Sequence, residues 1–314
     1  MAQAHGIHHV TAIAGDAQEN LEFYTGVLGA RLVKRSVNQD AVDTYHLFYA
    51  DRDGSPGTDL TFFPWPAMGA GRQGAGQAVE VGFAVPAGSL SYWAERLAGA
   101  GLEVEGPVSR FGEETLTTRD PHGLPLAFTQ SATPLEAAPW QRSPVPPEHQ
   151  LRGFHAVRLL ARALAPTAGF LAAALGFEEV GEEDGWRRFA VEGGGSSRLI
   201  EVCAHPGAPR GAWGTGSVHH VAFRVADDDE LQAVRERAQA AGADPTPVID
   251  RFWFHSVYLR EPGGALFELA TEGPGFAVDE DVETLGERLV LPPWLEPRRP
   301  EIEAGLPPLE LAAG

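Results

Sequence analysis

The sequence predicts an α+β protein built from four βαβββ modules that are arranged in two tandem halves and form curved mixed sheets. Three observations support this prediction: an internal repeat, a recurring order of strand-like and helix-like segments, and a proline-rich stretch between the halves. The repeat carries the most weight, because a repeated unit constrains topology more than local propensity does.

The repeat relates one stretch of the first half to a stretch of the second half at a constant offset. Residues 95–96, 110–111 and 120–123 align without a gap with residues 236–237, 251–252 and 261–264. A weaker repeat relates residues 23–29 to residues 170–176. Together the repeats place the four modules near residues 7–65, 78–130, 153–203 and 217–271.

Each module shows the same local order of segments. A short apolar strand comes first, and a helix-like segment such as 17–27 or 229–241 follows and ends near a glycine. Strand-like runs such as 45–49 and 60–63 come next, separated by Gly, Pro and Asp turns. This order predicts βαβββ.

Composition predicts the domain boundaries. Residues 132–152 are rich in proline and lack periodicity, which is typical of a linker. We therefore expect an N-terminal pair of modules at 1–131, a linker at 132–152, a C-terminal pair at 153–284 and an extended tail at 285–314.

Charge and composition narrow the function. A formal net charge of −19 disfavours nucleic acid as a partner, because phosphates would be repelled. No apolar run is long enough for a membrane span, so no membrane partner is expected. The single cysteine, Cys203, excludes an intramolecular disulfide and fits a reducing compartment, so we expect a cytoplasmic protein. The sequence leaves open whether the chain forms a homo-oligomer.

Two adjacent histidines occur twice within short apolar strands. His8-His9 lies in the first predicted strand, and His219-His220 opens the fourth module. Successive side chains on a regular strand point to opposite faces, so each pair is expected to offer one residue to a common cavity. The other histidine of each pair is then expected on the opposite face.

These features resemble the vicinal oxygen chelate superfamily, which includes glyoxalases, extradiol dioxygenases and bleomycin-resistance proteins. Within it, several separate stretches are similar to the ring-cleaving dioxygenases that act on hydroquinones: residues 7–11, 23–24, 32–38, 45–47, 54–58, 152–155 and 279–281. The resemblance implies glyoxalase-like curved sheets, and a small aromatic diol and dioxygen as substrates.

The resemblance also implies a metal centre. The family's metal ligands carry over to His9, His220 and Glu268. An internal comparison favours the second histidine of the first pair, because Phe154-His155 in the third module aligns its histidine with His9. Two imidazoles and one carboxylate suit Fe(II) and leave positions open for substrate and dioxygen. Mn(II) is an alternative, and Zn(II) would suit an isomerase.

Further residues are implied to act near this metal. Tyr258 precedes Glu268 at the spacing at which the family carries a tyrosine near the ring oxygens of the substrate. Its phenol either orients the substrate or transfers a proton, or the ring only packs on a strand. His8 and His219 are either catalytic neighbours of the ligands or structural. Arg251 and His255 are both candidates to face the substrate, because this chain is shorter than the family pattern in that segment. The aromatic run 252–254 fits either a ring pocket or the core.

The second and third modules look degenerate at the metal positions. Ala127 falls where Glu268 lies in the last module, and Glu80 falls where a first-strand histidine is expected. We therefore expect one metal per chain, formed where the first and last modules meet. Two alternatives to a ring-cleaving dioxygenase remain: a glyoxalase-type metal-dependent isomerase or lyase, and a non-catalytic resistance protein that binds aromatic compounds.

Overall fold

The structure is a computed structural model that describes residues 2–311. The first module contributes β1 (Ile7–Ala14), α1 (Ala17–Leu21), β2 (Arg31–Asn38), β3 (Ala41–Ala50) and β4 (Asp59–Pro64). The second contributes β5 (Gln77–Val85), α2 (Leu90–Gly99), β6 (Glu105–Arg110), β7 (Glu113–Arg119) and β8 (Pro125–Gln130).

The second half of the chain repeats this order. The third module contributes β9 (Phe154–Ala161), α3 (Leu164–Phe170), β10 (Glu178–Glu183), β11 (Trp186–Ala190) and β12 (Leu199–Ala204). The fourth contributes β13 (Val218–Val225), α4 (Asp228–Ala240), β14 (Ile249–Asp250), β15 (Phe254–Arg260) and β16 (Leu266–Pro274). Helices α1 and α3 continue into π-helical turns at Glu22–Val27 and Leu171–Leu175. The predicted fold class is confirmed.

The strands form two curled mixed sheets of eight strands. Sheet 1 has the order β14-β15-β16-β13-β1-β4-β3-β2, and sheet 2 has the order β10-β11-β12-β9-β5-β8-β7-β6. Each sheet therefore takes one module from each half of the sequence. The first and last modules meet where β1 pairs with β13 in antiparallel orientation.

One large core lies against both sheets and the helices. It joins aromatic side chains from both halves of the chain, including Tyr24, Phe62, Trp93, Phe128 and Phe223. Because this core covers one face of each sheet, it leaves the opposite, concave face of each sheet for other contacts.

Each module-opening strand (β1, β5, β9 and β13) carries an irregularity near its start. Ile7 and Val10 both face the core although they are three positions apart, which strict alternation forbids. A β-bulge explains this, because it inserts one residue, and the two intervening side chains then share a face. The same three-residue step recurs in the other opening strands at Ala78 and Val81, Phe154 and Val157, and Val218 and Val221.

The C-terminal segment packs along β2 and β3. Short helices at Phe276–Val278, Val282–Thr284 and Glu296–Arg298 lead into α5 (Arg299–Gly305). Leu291, Leu295 and Ile302 are buried against Val37 of β2. The domain boundaries inferred from composition stay a prediction. Within the described part of the chain, no helix is long and apolar enough to cross a membrane.

His5 joins the N-terminal segment to two acidic residues. Its Nδ1 lies 2.6 Å from Glu192 Oε1, and its Nε2 lies 2.7 Å from Glu230 Oε2. Burial lowers the pKa of His5, but the two carboxylates outweigh burial and raise the pKa overall. A raised pKa in the folded state stabilises the fold at low pH, and this stabilisation is lost as pH rises through the folded pKa.

We expect H5Q to lower the free energy of unfolding in mildly acidic solution by less than about 1 kcal/mol, because the site is partly exposed. The difference should shrink once pH passes the raised pKa of His5. Urea unfolding at a series of pH values measures it. The double variant E192Q/E230Q should remove the same pH dependence, and a pH dependence that survives in it would contradict the assignment to His5.

Candidate metal centre

Three potential metal ligands converge on the concave face of sheet 1. His9 lies on β1, His220 on β13 and Glu268 on β16, three adjacent strands of the sheet. His9 Nε2 lies 3.2 Å from His220 Nε2 and 3.2 Å from Glu268 Oε2, and His220 Nε2 lies 2.8 Å from the same oxygen. All three residues are buried. The predicted ligands are thus brought together by strand pairing across the whole chain.

The donor set fits a divalent cation. Ligand atoms roughly 2.1 Å from a metal and at right angles to one another lie roughly 3 Å apart, which is close to the separations seen here. Glu268 Oε1 accepts a hydrogen bond from Ser256 Oγ at 2.5 Å, whereas Oε2 is buried without a hydrogen-bond partner. Such an oxygen is costly unless a cation binds it.

The electrostatics prepare the three groups for a cation. Burial raises the pKa of Glu268, but His9 and His220 outweigh burial and hold the pKa well below its usual range. Burial lowers the pKa of His220, so this imidazole is neutral. Burial also opposes protonation of His9, yet Glu268 raises the pKa of His9 overall. A bound cation would take the place of a proton on His9.

His8 and His219 lie on the same face as the ligands, so the prediction from strict alternation is wrong. The β-bulges in β1 and β13 turn both histidines of each pair toward the concave side. His8 Nδ1 lies 2.9 Å from His9 Nδ1, and His219 Nδ1 lies 2.8 Å from His220 Nδ1. Burial, together with the neighbouring histidine, lowers the pKa of both His8 and His219 to about 3.

The alignment of His155 with His9 is also wrong. On β9, Ala156 pairs with the first residue of β12, just as His9 pairs with Asp59, the first residue of β4. His155 therefore corresponds to His8. The sequence comparison missed this because it did not align the apolar positions of the two strands, Ile7 and Val10 with Phe154 and Val157. The convergence of His9 with His220 and Glu268 is independent of that alignment.

A cavity of about 530 Å³ opens above the three ligands. Its walls are unusually aromatic and include Phe48, Phe63, Trp65, Trp253 and Phe254. Two members of the aromatic run 252–254 therefore line the cavity, while the third, Phe252, packs against Trp294. The cavity is large enough for a single substituted aromatic ring.

Arg251 and Tyr258 occupy one side of this cavity. The Arg251 guanidinium lies 5.3 Å from the centre of the Tyr258 ring, and its NH2 group donates to Asp40 Oδ2 at 2.9 Å. Burial, reinforced by the charge of Glu268, raises the pKa of Tyr258 far above its usual value. Tyr258 therefore keeps its proton and can donate it.

His255 lies outside the cavity, unlike Arg251. Its Nδ1 lies 2.6 Å from Asp228 Oδ1, at the start of α4. His255 is not among the residues that line the cavity, and the start of α4, where Asp228 lies, is on the core side of sheet 1. The structure thus separates the two candidates that the sequence left open.

Four polar residues near the ligands were not predicted as part of the site. Ser256 binds Glu268, and Asp59 is buried beside His9 with both carboxylate oxygens unpartnered. Burial raises the pKa of Asp59 to about 7. Thr61 and His46 form a hydrogen-bonded pair at the cavity wall. The sequence did carry a signal for these four residues, because they are polar residues at alternate positions of otherwise apolar strands.

The concave face of sheet 2 holds ion pairs where sheet 1 holds its ligands. The Glu201 carboxylate binds Arg158 at 2.7 Å and Arg188 at 2.6 Å, and Glu80 binds Arg110 at 2.7 Å. Ala127 pairs with Gly82 as Glu268 pairs with Ala222, so it occupies the position of the carboxylate ligand. In sheet 2, opposite charges neutralise one another within the protein.

Comparison with known proteins agrees with the fold and site. Residues 6–128 and 153–269 match the family model described as Glyoxalase/Bleomycin resistance protein/Dioxygenase superfamily. The chain belongs to this superfamily, and the resemblance inferred from its motifs is confirmed.

Relatives span the whole chain. It is 42% identical over 306 residues to the "Putative ring-cleaving dioxygenase MhqO" of Bacillus subtilis (strain 168), covering 98% of this chain and 97% of the relative. It is 34% identical over 303 residues to the chlorohydroquinone/hydroquinone 1,2-dioxygenase of Sphingobium indicum, covering 95% of this chain and 94% of the relative.

Solved structures show the same architecture. A crystal structure of a Bacillus subtilis protein described as a "putative dioxygenase" has a TM-score of 0.95 at 40% identity and covers 100% of both chains. Glyoxalase I from Zea mays has a TM-score of 0.62 at 16% identity and covers 85% of this chain and 92% of its own. The second likeness concerns the fold alone.

Proposed function

We propose that this protein is a ring-cleaving dioxygenase that uses Fe(II) and acts on hydroquinone- or catechol-like aromatic diols. The observation that carries the proposal is the triad of His9, His220 and Glu268, with its unpartnered carboxylate oxygen, at the base of an aromatic cavity. The names of the relatives, which span the full chain, support the same reaction class.

In this proposal His9, His220 and Glu268 hold the metal on one face. Fe(II) bound in this way supplies redox chemistry between a diol and dioxygen and leaves positions for both. Mn(II) could serve in its place, whereas Zn(II) could supply only Lewis-acid chemistry. The product of the reaction contains both atoms of dioxygen and an opened carbon ring.

The neighbouring histidines are proposed to orient the ligands. A histidine that binds a metal through Nε2 carries its proton on Nδ1. His9 Nδ1 can donate this proton to His8 Nδ1, and His220 Nδ1 can donate to His219 Nδ1, because both acceptors are neutral. These contacts fix the ligand tautomers and raise the basicity of the coordinating nitrogens.

Tyr258 and Arg251 are proposed to act on the substrate side. The protonated Tyr258 phenol can donate a hydrogen bond to an oxygen bound above the triad, and Arg251 adds a positive charge beside it. Asp40 holds Arg251 in place from the turn between β2 and β3. Negative charge that develops on oxygen would be stabilised by both groups.

Oxygen uptake tests the proposed reaction. Protein loaded anaerobically with Fe(II) should consume dioxygen when a substituted hydroquinone or catechol is added, at a rate that depends on the diol. Turnover by Zn(II)-loaded protein without oxygen would instead indicate an isomerase or lyase. Tight binding of aromatic compounds by protein that never takes up a metal would indicate a non-catalytic binder.

We expect Y258F to lower kcat by roughly 100-fold, because a positioned proton donor typically contributes this much. Iron content should be unchanged, since Tyr258 is not among the converging ligands. Steady-state oxygen uptake, together with metal analysis, separates these effects. A Y258F variant with wild-type kcat would show that the phenol only packs against the cavity.

The cellular setting is part of the proposal as well. We propose a cytoplasmic enzyme, since the single Cys203 fits a reducing compartment. Cell fractionation of the native protein tests this location. Sedimentation analysis of the purified chain would show whether it is a monomer or a homo-oligomer.

A further inference from the structure

One histidine of the cavity has no part in the proposed metal centre. His46 lies on β3, on the opposite side of the ligands from Tyr258 on β15. β3 is two strands away from β1 in sheet 1, which corresponds to roughly 10 Å along the sheet. His46 and Tyr258 therefore face the same cavity from opposite walls, with the ligands between them.

The wall around His46 is suited to an aromatic ring. The centre of its imidazole lies 3.8 Å from the Phe48 ring centre and 4.4 Å from the Phe63 ring centre. Arg251 and Tyr258 make the other wall polar. A substrate ring that extends from the ligands is accommodated on the Phe48 and Phe63 side, where His46 offers a hydrogen-bonding nitrogen between the two aromatic rings. The polar residues Asn38, Gln39 and Asp40 line the same cavity at the turn between β2 and β3.

Hydrogen bonds fix the orientation of His46. Its Nε2 lies 2.8 Å from Thr61 Oγ1, which lies 2.8 Å from Thr11 Oγ1. Within residues 2–311 its Nδ1 has no hydrogen-bond partner, and it is not among the fully enclosed unpartnered atoms. Burial, reinforced by His9 and His220, lowers the pKa of His46 well below its usual value. The ring is neutral and has one nitrogen free for a ligand.

We propose that His46 recognises the second hydroxyl of a para-diol whose first hydroxyl oxygen lies at the triad. The two oxygens of a para-diol lie at opposite ends of the ring, so the second can reach the far wall. The two oxygens of an ortho-diol are neighbours and both stay near the triad. His46 would thus select hydroquinones over catechols. This inference rests on the proposed function and narrows the substrate class of the proposed enzyme.

Two substitutions distinguish the roles of the two ring nitrogens of His46. The amide of asparagine lies close to the position of Nδ1, whereas the amide of glutamine lies close to the position of Nε2. H46N should therefore keep recognition of the second hydroxyl and lose the bond to Thr61. H46Q should keep the bond to Thr61 and lose recognition. F63L is the matched control, because Phe63 contacts the ring of His46 without offering a polar atom.

The test is anaerobic binding of hydroquinone, catechol and phenol to the Fe(II)-loaded protein, followed by tryptophan fluorescence or calorimetry. We expect the wild-type protein and H46N to bind hydroquinone roughly ten-fold more tightly than phenol, as one hydrogen bond allows. In H46Q this ratio should fall to about one. In F63L the affinities for both ligands should fall together and the ratio should stay.

Several results would overturn the proposal. Equal wild-type affinities for hydroquinone and phenol, an H46Q ratio as large as the wild-type ratio, or equal losses of catechol and hydroquinone affinity in H46Q would each show that His46 does not recognise the second hydroxyl. Oxygen uptake by the wild-type protein is measured separately. If uptake is absent but the binding ratio depends on His46, the recognition holds and the proposed reaction fails.

Discussion

E268Q is expected to abolish both iron retention and dioxygen consumption. The carboxylate supplies the single negative charge among the three converging ligands, and its Oε2 is buried without another partner. Glutamine keeps the shape of the side chain but removes the charge that compensates a divalent cation. Iron content after desalting should therefore fall below about a tenth of the wild-type value, since even changes to groups around a ligand weaken metal sites 10- to 100-fold.

Two control variants make this measurement specific. H255A should retain iron and activity, because His255 binds Asp228 outside the cavity. S256A removes the hydrogen bond to Glu268 Oε1 and should weaken iron binding by roughly ten-fold without abolishing it. Elemental analysis and oxygen uptake are the two readouts. Full iron content in E268Q would show that Glu268 is not a ligand.

K34M is expected to destabilise the fold by about 3–5 kcal/mol, because it leaves a buried carboxylate without its partner. Lys34 is fully buried on β2, and its Nζ donates to Glu280 Oε2 at 2.5 Å and to Asp279 Oδ1 at 2.8 Å. It also donates to the carbonyl of Phe276 at 3.0 Å. This one ammonium group thus binds the C-terminal segment to sheet 1.

The same contact supports the cavity wall. Asp279 Oδ1 accepts a hydrogen bond from Trp253 Nε1 at 3.2 Å, and Lys34 Nζ lies 5.3 Å from the Trp253 ring centre. Trp253 is one of the aromatic residues that line the cavity. We therefore expect K34M to weaken substrate binding as well as stability.

Chemical unfolding of K34M, E280Q and the double variant K34M/E280Q measures the pair. The double variant should recover part of the loss, because it leaves no unpaired charge at Glu280. As a control, R298A breaks an exposed pair with Glu301 and should cost less than about 0.5 kcal/mol. A K34M variant as stable as R298A would show that the buried pair does not hold the C-terminal segment.

The sequence was sufficient to predict the modules and to name three candidate ligands. Helices and strands repeat in a local order that needs no knowledge of distant contacts, and the predicted helix at 229–241 is observed as Asp228–Ala240. His9, His220 and Glu268 were named from the resemblance to the family, because they occupy the motif positions at which that family carries its metal ligands. Their convergence follows from β13 lying between β1 and β16.

The direction of individual side chains was harder to predict. A β-bulge depends on how two strands pair, and its trace in the sequence is a single slip in the apolar alternation, such as Ile7 to Val10. Strict alternation therefore misplaced His8 and His219. The comparison between modules separately aligned His155 with the wrong histidine of the first strand. A three-residue apolar step that recurs in all four opening strands would have revealed it.

By itself, then, the sequence determined the module type and the number of modules, because these depend on local patterns that repeat along the chain. The resemblance to the family added His9, His220 and Glu268 as the proposed metal ligands. The pairing of the first module with the last was expected from the sequence and is observed. Only the tertiary structure decided that both histidines of each pair share a face, that Arg251 and not His255 faces the cavity, and that His46 stands opposite Tyr258. These features arise from strand pairing and sheet curvature between residues far apart in the chain, which no local pattern encodes.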